Sequence, residues 1–315
     1  MSKIIRIGTR GSKLALWQAQ YATDLIHQYY DDVTVDLKIF TTRGDKILDK
    51  ALPEIGGKGL FTEELESALR SGEIDCAVHS LKDLPTEENE GIYLGAIPKR
   101  GNPTDALVSR NNQKLADLPQ GATVGTSSLR RKAQLLHHRP DLKIIDVRGN
   151  VPTRIQKLMA DDSPYDAIIL ASAGLERLEM ADYVTETLET PMMINAPAQG
   201  AVGIQCREDP ESMAFFAPLM DLPTWLSVTA ERSFLKVLGG GCSLPVAAYA
   251  YIEKSILYLH GRVTSVDGKT QIDVEGKVGL IRESNIITSA NRLGGDMALK
   301  AIAQGADAIL ETLKV

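Results

Sequence analysis

The sequence predicts two α/β domains followed by a smaller α+β domain. Three observations point there. Short apolar strands alternate with amphipathic helices twice over, from Ile4 to His79 and again from Asp105 to Met193. The chain has 315 residues, more than a single hydrophobic core commonly serves. After Leu222 the rhythm changes to a helix, three β-like runs and a final helix.

Ile4–Gly8 reads as a strand, and Ser12 as the N-cap of a helix from Lys13 to about Tyr30, with Leu14, Trp17, Tyr21 and Leu25 on one face. Val33–Phe40 alternates like a second strand. Residues 41–59 are polar, rich in glycine and too long for an ordinary connection, which predicts a mobile lid. Thr62-Glu63-Glu64 opens a helix that Gly72 closes, and Cys76–His79 is a short apolar strand. In the second set, Ala122–Gly125 is a strand and Leu129 to about His138 a helix stopped by Pro140. Lys143–Val147 is a strand, Val151–Met159 a helix and Ala167–Ala171 a fully apolar strand. Such alternation predicts parallel sheets with helices on both faces. The two sets join near Pro98–Pro103. Beyond them come a helix through Trp225–Leu238, β-like runs at Val246–Ile252, Ile256–Val263 and Gln271–Val278, and a helix from about Met297.

A hydrophobic content of 43% and a charged content of 24% are those of an ordinary globular protein. Cys76, Cys206 and Cys242 are too few for a disulfide framework and form no metal-ligand spacing, so no metal is expected. No charged-then-apolar leader precedes Ile4 and no apolar run would span a bilayer, which predicts a cytoplasmic protein without membrane contact. The net charge of −6 gives no reason to expect nucleic acid. Its distribution is uneven. Between Arg130 and Lys157 eight basic residues stand against Asp141 and Asp146, and five of the eight are arginines, the better clamp for carboxylate or phosphate.

In open α/β sheets, ligands bind beyond the carboxyl ends of the strands. Four segments fall there: Arg10-Gly11-Ser12, His79-Ser80-Leu81-Lys82-Asp83-Leu84-Pro85, Gly125-Thr126-Ser127-Ser128-Leu129-Arg130-Arg131, and Arg148-Gly149-Asn150 with Arg154. The third combines hydroxyls, backbone N–H groups, a helix N-terminus and two arginines, which makes an anion site. Neither a Walker loop nor a Gly-x-Gly-x-x-Gly after the first strand is present. Lys82-Asp83 reads either as a surface ion pair or as a carboxylate at the bottom of a cleft, placed to serve a proton on nitrogen. Cys242 sits in Leu238-Gly239-Gly240-Gly241-Cys242-Ser243-Leu244-Pro245. Three glycines strip one flank of side chains, so the thiol is either held out in a cavity or is a small buried apolar group. A nucleophilic thiol wants a histidine beside it, and His27, His79, His137, His138 and His260 lie in no local hydrolase signature.

Together these segments resemble the porphobilinogen deaminase (hydroxymethylbilane synthase) family. The likeness runs through Ile7–Leu16, Thr42-Arg43-Gly44-Asp45, Gly56–Phe61, Val78–Pro85, Val124–Arg131, Arg148-Gly149-Asn150, Ile169-Leu170-Ala171 with Gly174-Leu175, Gln199-Gly200-Ala201 and Gly240–Pro245. These collinear motifs cover nearly the whole chain.

The resemblance implies three domains: residues 1–99 with 200–217, residues 105–193, and residues 222–315. The first two are similar to the domains of type II periplasmic binding proteins. The implied activity is head-to-tail joining of four porphobilinogen molecules into hydroxymethylbilane, with ammonia released at each addition, in tetrapyrrole biosynthesis. The implied cofactor is a dipyrromethane bound to Cys242 by a thioether, its carboxylates held by Lys58, Lys82, Ser128, Arg130 and Arg131. Arg10, Ser12, Arg148, Arg154, Arg177 and Gln199 would hold substrate, and Asp83 would face the pyrrole nitrogens as the catalytic group. The family suggests a monomer. Three positions depart from its pattern: Gly239 where an acidic residue is common, the residues before Gln199, and Glu54 where some relatives have lysine. Two other readings compete. A bilobal solute-binding or sensor module explains the arginines without Cys242, and a Cys–His hydrolase explains Cys242 without the arginines.

Overall fold

Alternation of apolar and polar residues over Val33–Phe40 becomes β2, which pairs in parallel with β1 (Lys3–Arg10) from Lys3 against Val33 to Arg10 against Phe40. The computed structural model describes residues 3–46, 62–87, 89–241, 244–280 and 285–313. Lys58, most of the expected lid and Cys242 lie outside the described residues. The chain divides into two compact units, residues 1–101 with 200–225, and residues 102–199 with 226–315.

In the first unit, α1 (Lys13–Tyr29) follows β1 and is capped as expected, the Ser12 hydroxyl accepting from Ala15 N at 3.2 Å. α2 (Glu63–Ser71) ends on Gly72, whose φ of 74° suits glycine. β3 (Cys76–Ser80) pairs in parallel with β1. The chain leaves after β4 (Ile92–Ala96) and returns as β10 (Val202–Arg207), antiparallel to both β3 and β4. The strand order is β2-β1-β3-β10-β4. Ile5, Ile7, Ala22, Ile26, Val78 and Ile204 share a core with Phe216 of α6 (Pro210–Phe216).

In the second unit, β5 (Asp105–Ser109), β6 (Thr123–Gly125), β7 (Lys143–Ile145), β8 (Ala167–Ala171) and β9 (Glu186–Leu188) form a sheet ordered β7-β6-β8-β5-β9. α3 (Leu129–His138) follows β6, α4 (Val151–Met159) follows β7 and α5 (Ser172–Arg177) follows β8. β6 is parallel to β7 and β8, whereas β5 is antiparallel to β8 and β9. Parallel sheets were expected, and both are mixed. The exceptions are strands that do not reach their neighbours through a helical crossover, so the rule that makes crossovers parallel does not bind them.

The third sheet, β11 (Val246–Glu253), β12 (Ile256–Thr264) and β13 (Gln271–Gly279), is an antiparallel meander within the second unit. It packs on α7 (Leu222–Val237), α8 (Ile286–Ala303) and α9 (Ala306–Glu311) around Phe234, Leu257, Leu259 and Ala298. The last long helix was expected from about Met297 and starts at Ile286, where the Asn285 side chain accepts from Ile287 N and Thr288 N, both at 3.1 Å. Gly294 lets α8 lie against α7: a Cβ there would strike the Ala230 carbonyl and come within 2.7 Å of Ser233 Cβ. Among the described residues no helix is long and apolar enough to cross a membrane.

Glu231 of α7 is fully buried and holds two strands of backbone at once. Its carboxylate accepts from Ala198 N at 2.6 Å and from Ala250 N of β11 at 2.8 Å. Ala198 takes a φ of 62°, strained for a side-chain-bearing residue, and this bond helps hold it there. Glu231→Ala leaves two buried N–H groups without acceptors and should cost about 2–5 kcal/mol. Urea midpoints of the two proteins measure it, and equal midpoints would show that Glu231 is not a brace.

Candidate active site

β1 and β3 are adjacent and parallel, so the residues after them emerge at one edge of the first sheet. Arg10, Ser12, Gln18, Thr62, His79, Ser80 and Asp83 line a cavity of about 100 Å³ there. Asp83 was read either as part of a surface ion pair or as a carboxylate at the bottom of a cleft. It is exposed, on the wall of this cavity, because β3 runs into a 3-10 turn at Leu81–Asp83 that turns Leu81 and Leu84 inward. Lys82 beside it is half-buried. Gln18, 2% exposed, donates to the Ser80 hydroxyl at 2.8 Å. The buried Thr62 Oγ1 and His79 Nε2 have no hydrogen-bond partner among the described residues. Burial, then the charge of Arg10, lowers the His79 pKa to about 4, against a weaker upward pull from Gln205, so the ring is neutral at pH 7.

The second sheet brings two of the four expected segments to one edge, since β6 and β7 are parallel neighbours. Ser128 caps α3, and Arg130 and Arg131 follow in its first turn. Both guanidiniums turn inward to Asp105 at the start of β5, a residue the sequence reading passed over. Arg130 Nη1 donates to Asp105 Oδ2 at 2.6 Å, and Arg131 donates to Oδ1 from Nε at 3.0 Å and Nη2 at 2.7 Å. Asp105 has no exposed surface. Burial alone would raise its pKa, but the charges of Arg130 and Arg131 outweigh that and hold the carboxyl well below the usual range. The signal was present in the sequence: an aspartate heading an otherwise apolar strand must find a cation.

Gln199 was expected to meet substrate. It is fully buried, and its amide donates to Asp105 Oδ1 at 2.9 Å and to the Pro103 carbonyl at 2.8 Å, so it braces the cluster from inside. The backbone N–H groups expected to be open at the start of α3 are partly taken. Ser128 N donates to Thr126 Oγ1 at 3.2 Å, and Arg131 N to Ser128 Oγ at 3.5 Å. Arg148 and Arg154 share one turn: Arg154 Nε donates to the Gly149 carbonyl at 2.7 Å, and Lys157 to the Arg148 carbonyl at 3.0 Å. Arg177 stands apart at the end of α5, and all three arginines are half-buried.

α7 ends in a glycine-closed turn, with Gly240 N donating to the Leu235 carbonyl at 2.9 Å and Gly239 N to the Lys236 carbonyl at 3.2 Å. Gly239 has a φ of 111°, a conformation that suits glycine and would strain an acidic residue. Cys76 and Cys206 are free and buried. Burial pushes the Cys206 thiol up to about 12 and the Cys76 thiol well above its ordinary value, so neither supplies a thiolate at neutral pH.

Two mixed five-stranded sheets and a third, smaller sheet with its helices define a protein of two α/β domains and a C-terminal α+β domain. The family model described as porphobilinogen deaminase, dipyromethane cofactor binding domain, matches residues 5–214, and that of the porphobilinogen deaminase C-terminal domain matches residues 225–303. The porphobilinogen deaminase of Syntrophotalea carbinolica is 45% identical, over 100% of this chain and 97% of its own. That of Shouchella clausii is 47% identical, over 100% and 98%. The chain belongs to the porphobilinogen deaminase family.

The lowered pKa of His79 makes a stability test. Its folded value, about 4, lies below the ordinary 6.5, so the unfolded chain binds a proton first and stability falls as pH drops from 6.5 towards 4. Relative to His79→Gln, the wild type should lose about 3 kcal/mol across that window. Urea unfolding of both proteins at pH 7 and pH 4.5 measures it, and parallel losses would show that His79 is not buried as a neutral ring.

Proposed function

We propose that the chain joins four porphobilinogen molecules head to tail into hydroxymethylbilane, primed by a dipyrromethane that Cys242 holds through a thioether. One observation carries the reading: the carboxylate of Asp83 shares the wall of a single cavity with Arg10 and Ser12. An acid group beside cationic and hydroxyl donors is what a pyrrole bearing carboxylates and an aminomethyl group requires.

The donor set suits a polycarboxylate cofactor. Two guanidiniums share one carboxylate, Asp105, so the cluster keeps a net positive charge, and Arg130 Nε is buried without a hydrogen-bond partner among the described residues. A cofactor carboxylate supplies both the missing charge and the missing acceptor. Ser128 adds a hydroxyl, Arg131 adds charge and grips Asp105, and Lys82, Lys58 and Cys242 join them by family likeness. When bound, the dipyrromethane supplies the pyrrole carbon from which the product is built.

Arg10 and Ser12 hold the carboxylates of the substrate, as do Arg148, Arg154 and Arg177; Gln199, being sealed inside, leaves that set. Each addition makes one carbon–carbon bond and breaks one carbon–nitrogen bond, and the displaced ring proton departs with ammonia as ammonium. Positive charge develops on the pyrrole nitrogen as ammonia leaves, and the Asp83 carboxylate stabilises it. Because Asp83 is exposed, the same group can also pass a proton to solvent. A neutral His79 adds no second positive charge beside Arg10. The protein works in the cytoplasm as a monomer on a small molecule, with neither nucleic acid nor membrane as a partner.

Intact mass spectrometry tests the cofactor: the purified protein should exceed its sequence mass by one dipyrromethane, and Cys242→Ser should remove the excess. An active wild type of sequence mass alone would overturn the assignment. Asp83→Asn should lower kcat by about a hundredfold or more at an unchanged thermal midpoint. Porphobilinogen consumption at the wild-type rate would remove Asp83 from the chemistry.

A further inference from the structure

α3 carries Arg130 and Arg131 in its first turn and is fastened to the third sheet at two later points. Midway along it, Gln134 is 1% exposed, and its Oε1 accepts from Arg262 Nη1 of β12 at 3.0 Å and from Ile194 N at 2.9 Å. Gln134 Nε2 donates to the Ile194 carbonyl at 3.0 Å. That carbonyl also accepts from Arg130 Nη1 at 2.8 Å, the nitrogen that donates to Asp105. At the end of α3, His137 Nδ1 lies 2.8 Å from the Gly268 carbonyl in the β12–β13 turn. The turn packs so closely that a Cβ on Gly268 would come within 2.5 Å of His137 N. Arg262 is itself anchored: it is 4% exposed, pairs with Asp273 through Nε and Nη2, and donates to the Pro191 carbonyl at 2.8 Å.

We infer that Arg262 and Gln134 are positioning residues for the Arg130–Asp105–Arg131 cluster, so that the third sheet sets where the cofactor's carboxylate is met. This rests on the dipyrromethane reading. One nitrogen of Arg130 serves two acceptors, Asp105 and the Ile194 carbonyl, and Gln134 holds that carbonyl from a second side. Loss of the Arg262 bond frees Gln134 to turn, and the Ile194 carbonyl moves with it. Hydrogen bonds of fixed direction weaken steeply with such shifts, and misplacement of a binding group on the scale of 1 Å is felt in affinity before it is felt in fold.

The test uses the full-length protein and a control matched for stability. Arg262→Met should raise KM for porphobilinogen about fivefold or more, leave kcat within about threefold, and lower the fraction of protein carrying the dipyrromethane mass. Phe234→Leu loosens the core of the third sheet without touching α3's polar contacts, and at an equal loss of thermal midpoint it should keep the wild-type KM and cofactor load. Arg262→Lys, which keeps one charged donor, should recover part of the KM. Equal KM and equal load in Arg262→Met and Phe234→Leu would overturn the inference. If Arg262→Met does not accumulate as folded protein, Arg262→Lys is read against the same control: a KM about twofold or more above the control's supports the inference, and an equal one overturns it. A wild type with neither excess mass nor porphobilinogen turnover would sink the cofactor reading itself, whatever the variants do.

Discussion

Asp105 is a carboxylate without exposed surface, and two guanidiniums keep it charged. Removing a charge of this kind from water is expensive, and a single partner left behind would be worse than none. With two cations around one anion, the cluster is held in place by its own electrostatics and still carries one positive charge in surplus. Much of the second unit is arranged about it. Gln199 and the Pro103–Asp105 segment close one side, Arg131 reaches the Ile169 carbonyl of β8 at 2.9 Å, and Arg130 reaches the Ile194 carbonyl. Of these two buried cations one is incompletely satisfied, since Arg130 Nε has no acceptor among the described residues.

Each five-stranded sheet gathers its loop residues by the same device. Three adjacent parallel strands end at one edge, and their loops deliver a cap residue or a cation there. The antiparallel strands, β10 in the first sheet and β5 in the second, lie on the other side of that set. They contribute rigidity more than chemistry, with one exception. Asp105 opens β5 and sits opposite Ala171 at the end of β8, which puts it at the edge where the parallel strands end.

The cysteines divide by environment. Cys76 and Cys206 face each other across β3 and β10 in a dry core, where burial suppresses ionisation. Cys242 follows a glycine turn that ends α7 and breaks the helix cleanly. The residues that flank this turn are tied to the third sheet, with Thr264 N donating to the Pro245 carbonyl at 3.3 Å. Both sides of this turn, like the arginine cluster, belong to the second unit.

Local signals alone determined a good deal of this protein. Ser12 as a cap, Gly72 as a stop, and the period-two pattern of Val33–Phe40 specify elements that the structure reproduces, because caps, turns and periodicity act within a few residues. The order of motifs likewise sufficed for the family. Tertiary structure decided what depends on partners distant in sequence. It made Gly294 a contact between helices, since only α7 reveals the close approach. It drew Arg130, Arg131 and Gln199 inward to Asp105, and linked Gln134 to Arg262 across 128 residues of chain. Whether an arginine reaches a ligand directly or first grips a buried carboxylate depends on which charges the fold brings within hydrogen-bond distance, and no local pattern encodes that distance.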